Sequence, residues 1–298
     1  MKHLLSLEAM KVADMEHILS SAQTLKHQRG HHPIQTLIGQ TWALIFTKPS
    51  TRTRVSFEVG IRELGGQVMF LNSGDMQLGR GEPIRDTARV LSRMIHGAVI
   101  RTFAQADVEE FAHYSRIPTI NALTDGEHPC QILTDIFTFQ EKRGPMEGKV
   151  VAYIGDGACN VPLSWIFAAG KLKFELRIAA PKAFQPPADI LARAGGKVVV
   201  TESPKEAARG ADLLYTDVWV SMGREEESAA RLQQLAGYQI NQALLSVAKP
   251  GALVMHCLPA YRGREIDEAT FENHATTIFD QAENRLHVQK GILNWLVS

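Results

Sequence analysis

An apolar run ends at Ile45 and Phe46, and a cluster of hydroxyls and cations follows directly: Lys48, Pro49, Ser50, Thr51, Arg52, Thr53 and Arg54. A helix-period segment then begins near Arg52. Free backbone N–H groups at a helix start, together with the positive end of its dipole, bind anions. Hydroxyl donors and a guanidinium fork in the same turn suit a phosphate in particular. The plainer alternative is a Ser/Thr cap followed by a solvated basic turn. Two further positions share the theme. Arg101 ends a hydrophobic run that has no structural need for a cation. Glu127, His128, Pro129, Cys130 and Gln131 open a helix with proline in its first turn.

Other residues able to do chemistry lie further along. Asn160 follows the apolar run 149–154, Asp217 follows 212–216, and His256, Cys257, Leu258 and Pro259 follow 252–256. Each could be an ordinary turn or a buried thiol. Their common place, just past an apolar run, makes an acid, an amide and a thiol candidates for one site. Metal chemistry is not indicated: no HExxH is present, and the His, Cys and Asp spacings match no ligand pattern. A P-loop is absent too. Gly155, Asp156 and Gly157 follow a run, but the third glycine position of a dinucleotide fingerprint holds Asn160, and no acidic residue ends the next run at Ile178 to Ala180.

The elements that must position these residues alternate along the chain. Strands are predicted at 42–46, 67–71, 97–103, 149–154, 175–179, 197–201, 212–216 and 252–256. Helices are predicted at 54–64, 84–95, 107–115, 129–142, 162–172, 204–209, 228–236 and over Ala282 to Val297. Such alternation implies an α/β fold: two doubly wound domains, each a mainly parallel sheet flanked by helices. In that architecture ligands bind beyond the carboxyl ends of the strands. The polar connection 141–149 marks the boundary, giving 1–143 and 144–282, with a C-terminal helix 283–298 crossing back to the first domain.

Composition narrows the function classes. The chain has 298 residues, 45% hydrophobic and 21% charged, which excludes disorder and suits about two domains. Thirty-two basic residues balance 32 acidic ones, so no global field draws nucleic acid or an anionic membrane. Three scattered cysteines make neither a disulfide framework nor a zinc ribbon and point to a reducing, cytoplasmic compartment. The N-terminal residues do not read as a signal peptide, and no stretch is apolar enough to predict a membrane span.

Ser50 to Arg54, His128 to Gln131 and His256 to Pro259 resemble the signatures of the aspartate/ornithine carbamoyltransferase family. Asp217 to Gly223 resembles its ornithine branch, and the likeness runs from about residue 40 to Glu283, Asn284 and Arg285. The resemblance implies carbamoyl transfer from carbamoyl phosphate to the side-chain amine of L-ornithine, with no cofactor. Carbamoyl phosphate would be held by Ser50, Thr51, Arg52, Thr53, Arg101, His128, Gln131 and Arg285, with Cys257 and the Leu258 carbonyl near the reacting amine. Gln77 would reach a neighbouring subunit's site. Asn160, Asp217, Ser221 and Met222 would hold ornithine, and Arg101, His128, Cys257 and Asp217 would be catalytic. The family's assembly implies a homotrimer or a multiple of trimers, with sites at subunit interfaces.

One stretch departs from the pattern. The ornithine branch usually reads Gly-Asp-x-Asn-Asn-Val. Here Gly155 to Val161 carries one extra residue, with Ala158 and Cys159 before Asn160. The departure bears on where Asn160 lies and on substrate preference. Aspartate transfer is the nearest alternative, but Asp217 suits an amine and repels a dicarboxylate. Acylated ornithine and putrescine are further alternatives, as is a non-catalytic carbamoyl-phosphate binder.

Overall fold

The computed structural model describes residues 1–72, 81–220 and 228–298. The chain divides into two compact units, Met1–Thr134 with Asn284–Ser298, and Asp135–Glu283. The elements run α1 (Val12–His27), β1 (Thr41–Phe46), α2 (Thr51–Glu63), β2 (Gln67–Asn72), α3 (Ile84–Leu91), β3 (Gly97–Arg101), α4 (Gln105–Ser115), β4 (Thr119–Leu123) and α5 (Pro129–Arg143). They continue with β5 (Val150–Ile154), α6 (Asn160–Leu172), β6 (Glu175–Ala179), α7 (Ala188–Arg193), β7 (Val198–Thr201), α8 (Pro204–Ala208), β8 (Leu213–Thr216), α9 (Ser228–Leu235), α10 (Gln242–Leu245), β9 (Leu253–His256) and α11 (Glu268–Val297). The division falls inside α5 and α11, so these two helices belong to both units. The connection between α5 and β5, where the sequence suggests a boundary, follows further along the chain.

In the first unit the sheet order is β2-β1-β3-β4, and in the second it is β7-β6-β5-β8-β9, with every pairing parallel. Strand order reverses direction between β1 and β3 in one sheet and between β5 and β8 in the other. A parallel sheet binds its ligand at such a reversal, beyond the strands' carboxyl ends. The candidate residues follow the carboxyl ends of β1, β3 and β4, and of β5, β8 and β9.

The predicted strands all form, within a residue or two at most ends. β3 stops at Arg101 because its register with β4 shifts between Ile100 and Arg101. The sequence reading lacks β4, α1, α7 and α10, and it starts the last helix at Ala282 instead of Glu268. β4 was hidden by Thr119 and Asn121, which look like loop residues. Both are fully buried, and Asn121 spends its side-chain amide on the Leu5 carbonyl at 2.9 Å. A long-range partner makes the polar residue acceptable inside.

Packing explains why these segments sit where they do. A Cβ on Gly97 would lie 2.5 Å from the buried Trp42 ring, so β1 and β3 can pair there only with glycine. In the second unit Trp165 of α6 meets Phe174 and Tyr215 edge-on, each at 5.6 Å, and anchors the helix on its sheet. The C-terminal part of α11 docks on α1 and α2. Buried Lys290 donates to Glu63 Oε2 at 2.6 Å and to the Leu25 carbonyl at 3.3 Å, and Trp295 Nε1 donates to Asp14 at 2.9 Å.

Candidate active site

In the first unit the β1 strand delivers the chain to Ser50, whose extended backbone (φ −163°, ψ 108°) makes it the N-cap of α2. Its Oγ accepts the Thr53 N–H at 3.3 Å and donates to Thr53 Oγ1 at 3.0 Å. Arg285 of α11 donates to the same Thr53 oxygen at 2.7 Å, with Thr53 fully buried. A guanidinium from the far end of the chain is thus fixed at the opening of α2. Thr51 and Arg52 are exposed there. Arg54 differs from them: it stacks 3.9 Å over the Phe70 ring and pairs with Glu58 at 3.6 Å, so it braces the helix flank.

Arg101 sits at the register shift closing β3 and is buried at 8% exposure. Irregularities of this kind re-aim a side chain at a strand end. The loop after β4 brings in His128, which is also buried. Burial, then the charges of Arg285 and Arg101, hold its imidazole pKa well below the usual histidine value. His128 is therefore a neutral ring, able to donate one hydrogen bond without adding positive charge. Gln131 is buried one turn further on, at 1% exposure. Cys130 is not a nucleophile: burial pushes its thiol up to about 12, and its Sγ donates to the Asn121 carbonyl at 3.4 Å.

Lys48 takes a role that the sequence did not disclose. Its ammonium bonds Asp125 at 2.5 Å and lies 4.1 Å over the Phe103 ring. It thereby ties together the turns after β1, β3 and β4, which lead to Ser50, follow Arg101 and precede His128.

In the second unit, Asp217 leaves β8 and Cys257 leaves the neighbouring β9. The thiol donates to Asp217 Oδ1 at 2.9 Å, and the same oxygen accepts the Val218 N–H at 2.7 Å. Burial raises the Asp217 pKa despite opposing contributions from His256 and these two hydrogen bonds. Burial and then the Asp217 charge keep the Cys257 thiol well above its ordinary value, so the proton stays on sulfur. His256 is oriented from both sides. Its Nδ1 accepts the Leu258 N–H at 2.9 Å, so its Nε2 carries the hydrogen toward Glu265 Oε1 at 3.2 Å. Leu258 is held in the left-handed region (φ 60°), an unfavourable place for a branched side chain that this amide bond supports.

Donor atoms of Asp217, His256 and Cys257 lie within 4.8 Å of one another. Both imidazole nitrogens are engaged within the protein, Nδ1 by the Leu258 N–H and Nε2 by Glu265.

Asn160 is the first residue of α6 and partly exposed; Cys159 before it is the N-cap and makes no side-chain cap bond. Cys159 Sγ turns instead to the Asp156 carbonyl at 3.3 Å and the Tyr153 hydroxyl at 3.6 Å. Asp156 accepts the Ala158 N–H at 2.9 Å through Oδ1 and pairs through Oδ2 with buried Arg231. Arg231 Nε also donates to the Trp219 carbonyl at 2.9 Å. Arg231, Glu265 and Gln281, which accepts the His256 N–H at 3.0 Å, were not found from the sequence. Arg231 and Gln281 lie far along the chain from their partners, and no local pattern marks any of the three. Gln77, Ser221 and Met222 lie outside the described residues.

A parallel α/β protein with an anion-seeking helix start on one sheet, and an acid–thiol pair on the other, belongs to the class of group-transfer enzymes acting on small charged metabolites. The comparisons make this specific. Residues 2–141 match the carbamoyl-phosphate-binding domain, and residues 147–296 the Asp/Orn-binding domain, of aspartate/ornithine carbamoyltransferases. The chain belongs to that family. An ornithine carbamoyltransferase of Akkermansia muciniphila is 53% identical over 296 residues, 98% of this chain and 97% of the relative. Among solved structures, the anabolic ornithine carbamoyltransferase of Campylobacter jejuni is 41% identical at a TM-score of 0.94, covering 99% of both chains. That of Pyrococcus furiosus is 42% identical at a TM-score of 0.91, covering 98% of this chain and 96% of its own.

Proposed function

We propose that this chain transfers the carbamoyl group of carbamoyl phosphate to the side-chain amine of L-ornithine, giving L-citrulline and phosphate. Membership of the family and relatives named for this activity along nearly the whole chain support the reading. The observation that carries the choice of ornithine is Asp217. A buried acid at the end of β8 accommodates an amine-bearing partner and repels the second carboxylate of aspartate.

In the proposed reaction Ser50, Thr51, Arg52 and Thr53 grip the phosphate, with Gln131, Arg285 and the partner-reaching Gln77 around it. The neutral amine attacks the carbamoyl carbon and a tetrahedral intermediate forms. The C–O bond to phosphate then breaks, and the leaving phosphate takes the amine proton. Arg101, neutral His128 and Thr53 donate to the carbonyl oxygen as negative charge develops there. Losing one such donor costs roughly 3–4 kcal/mol of barrier. Positioning supplies a second share of about 7–11 kcal/mol. Asn160, Ser221 and Met222 hold the amino-acid end of ornithine. Asp217, Cys257 and the Leu258 carbonyl orient the amine, whose ordinary pKa of about 10.4 leaves little neutral at pH 7. A desolvated site favours the neutral form.

The same reading makes the enzyme a cytoplasmic member of arginine metabolism, working as a homotrimer or a multiple of trimers. Among the described residues no helix is long and apolar enough to cross a membrane, and all three cysteines are free. One assay tests the proposal: purified chain with carbamoyl phosphate and, in turn, ornithine, aspartate, N-acetylornithine and putrescine. Citrulline with stoichiometric phosphate is the expected result. Carbamoyl-aspartate, another carbamoylated amine or no product would overturn it.

A further inference from the structure

We propose that Glu127 is a positioning residue of the carbamoyl-phosphate site, holding His128 in place through the amino-terminal segment Leu4–Leu7. The proposal rests on the functional reading above, and it concerns residues to which that reading gives no part.

The segment is laid along the edge of the first sheet. Leu4 N–H donates to the Thr119 carbonyl at 2.9 Å, the Asn121 N–H donates to the Leu4 carbonyl at 2.7 Å, and Leu4 forms a parallel bridge with Ile120. Leu4 and Leu7 are buried at 1% and 0% exposure, so the apolar effect pins the segment at both ends. Between them the Leu5 carbonyl accepts from the side-chain amides of Asn121, at 2.9 Å, and Gln105, at 3.1 Å.

A closed ring of hydrogen bonds then runs from this segment to the turn before His128. Gln105 Oε1 accepts the Thr124 hydroxyl at 2.7 Å. Thr124 Oγ1 accepts the Glu127 N–H at 3.1 Å, and the Thr124 N–H donates to the Glu127 carbonyl at 3.0 Å. The ring closes where the Leu7 N–H donates to Glu127 Oε2 at 2.8 Å. Glu127 is 5% exposed. A buried carboxylate is costly unless hydrogen-bonded, so its side chain has little freedom to leave the Leu7 amide.

His128 is the next residue, and its carbonyl accepts the N–H groups of Gln131, at 3.1 Å, and Ile132, at 3.3 Å, as α5 begins. Whatever fixes Glu127 therefore fixes the exit angle of His128 and the first turn carrying Gln131. Lys48 holds Asp125 of the same turn from the Ser50 side. The turn is clamped on two flanks, and on the amino-terminal flank the Glu127 carboxylate and Gln105 tie it to the Leu4–Leu7 segment.

Steady-state kinetics on the full chain, with calorimetric titration of inorganic phosphate, test this. Glu127→Ala should raise KM for carbamoyl phosphate, and weaken phosphate binding, by about tenfold, with KM for ornithine within about twofold. Glu127→Gln keeps an oxygen acceptor for the Leu7 amide and should stay within about threefold of the parent. Amide exchange at Leu7 should quicken in Glu127→Ala alone. Gln105→Ala opens the ring at its opposite side and should shift KM for carbamoyl phosphate in the same direction. It serves as the test if Glu127→Ala does not fold. Unchanged carbamoyl-phosphate and phosphate affinities would overturn the proposal. So would a glutamine variant as impaired as the alanine one, or a rise in both KM values together. Phosphate binding needs no turnover, so a parent chain that makes no citrulline overturns only the functional reading.

Discussion

Asp217 Oδ1 receives two hydrogen bonds, one from the Cys257 thiol at 2.9 Å and one from the Val218 amide at 2.7 Å. Both acidic groups are pushed upward in pKa by burial. The thiol, lifted well above its ordinary value, keeps its proton and donates it to the carboxylate.

Replacing Asp217 by Asn should lower kcat/KM for ornithine by about 30-fold or more, the effect of removing one partner of a buried charged contact. KM for carbamoyl phosphate should change little. In the parent, the acidic limb of kcat/KM for ornithine should lie above the ordinary carboxylate range, and the variant should lose that limb. Stability carries a matching signature. The folded chain holds a proton that the unfolded chain releases, so stability falls as pH rises from 3.8 through the raised folded value. Urea titrations across that range should show the slope in the parent and not in Asp217→Asn.

Cys257→Ser retains a donor toward Asp217 and should keep kcat within about tenfold of the parent. Cys257→Ala removes the donor and should lose more, since a buried acceptor left without its partner costs about 1–3 kcal/mol. A Cys257→Ala enzyme with the parental rate at every pH would remove the thiol from the mechanism.

Arg52→Met should raise KM for carbamoyl phosphate by about 100-fold at unchanged thermal stability, because Arg52 is exposed and the α2 cap survives. Ser50→Ala should do both kinds of damage, losing phosphate affinity and about 1 kcal/mol of stability with the N-cap bond. Thermal melts beside the kinetics separate the two effects.

His128 is held neutral in the folded chain, whereas in the unfolded chain it takes up a proton near 6.5. Stability should therefore fall as pH drops below about 6.5, because only the unfolded state gains the proton. His128→Asn should flatten this part of the curve. The imidazole should show no protonation step in an NMR titration of the folded protein above pH 6.

Arg231→Met leaves Asp156 buried without its cation and should destabilise the chain by about 3–5 kcal/mol. Pairing it with Asp156→Asn should recover much of that loss, as measured by urea midpoints.

Much of the architecture is legible in the sequence. Runs such as 97–100 and 150–154 are apolar throughout, as a strand covered on both faces requires, and the reactive residues stand at or just past their ends. β4 escaped because Thr119 and Asn121 look like loop residues until the Leu4–Leu7 segment supplies partners for them. α1 is absent from the sequence reading although its buried Met15, Ile18, Leu19, Ala22 and Leu25 recur at helical spacing.

Local sequence determined which residues are available for chemistry: the Ser50 cap, the cations Arg52 and Arg101, and the acid and thiol that follow β8 and β9. Tertiary structure decided their states and partners. It set Arg285 on Thr53 across more than two hundred residues, turned Arg54 and Lys48 away to bracing roles, kept His128 neutral, and chose the tautomer of His256. These outcomes depend on burial and on contacts between distant segments, and such free energies exist only once the chain has closed around them.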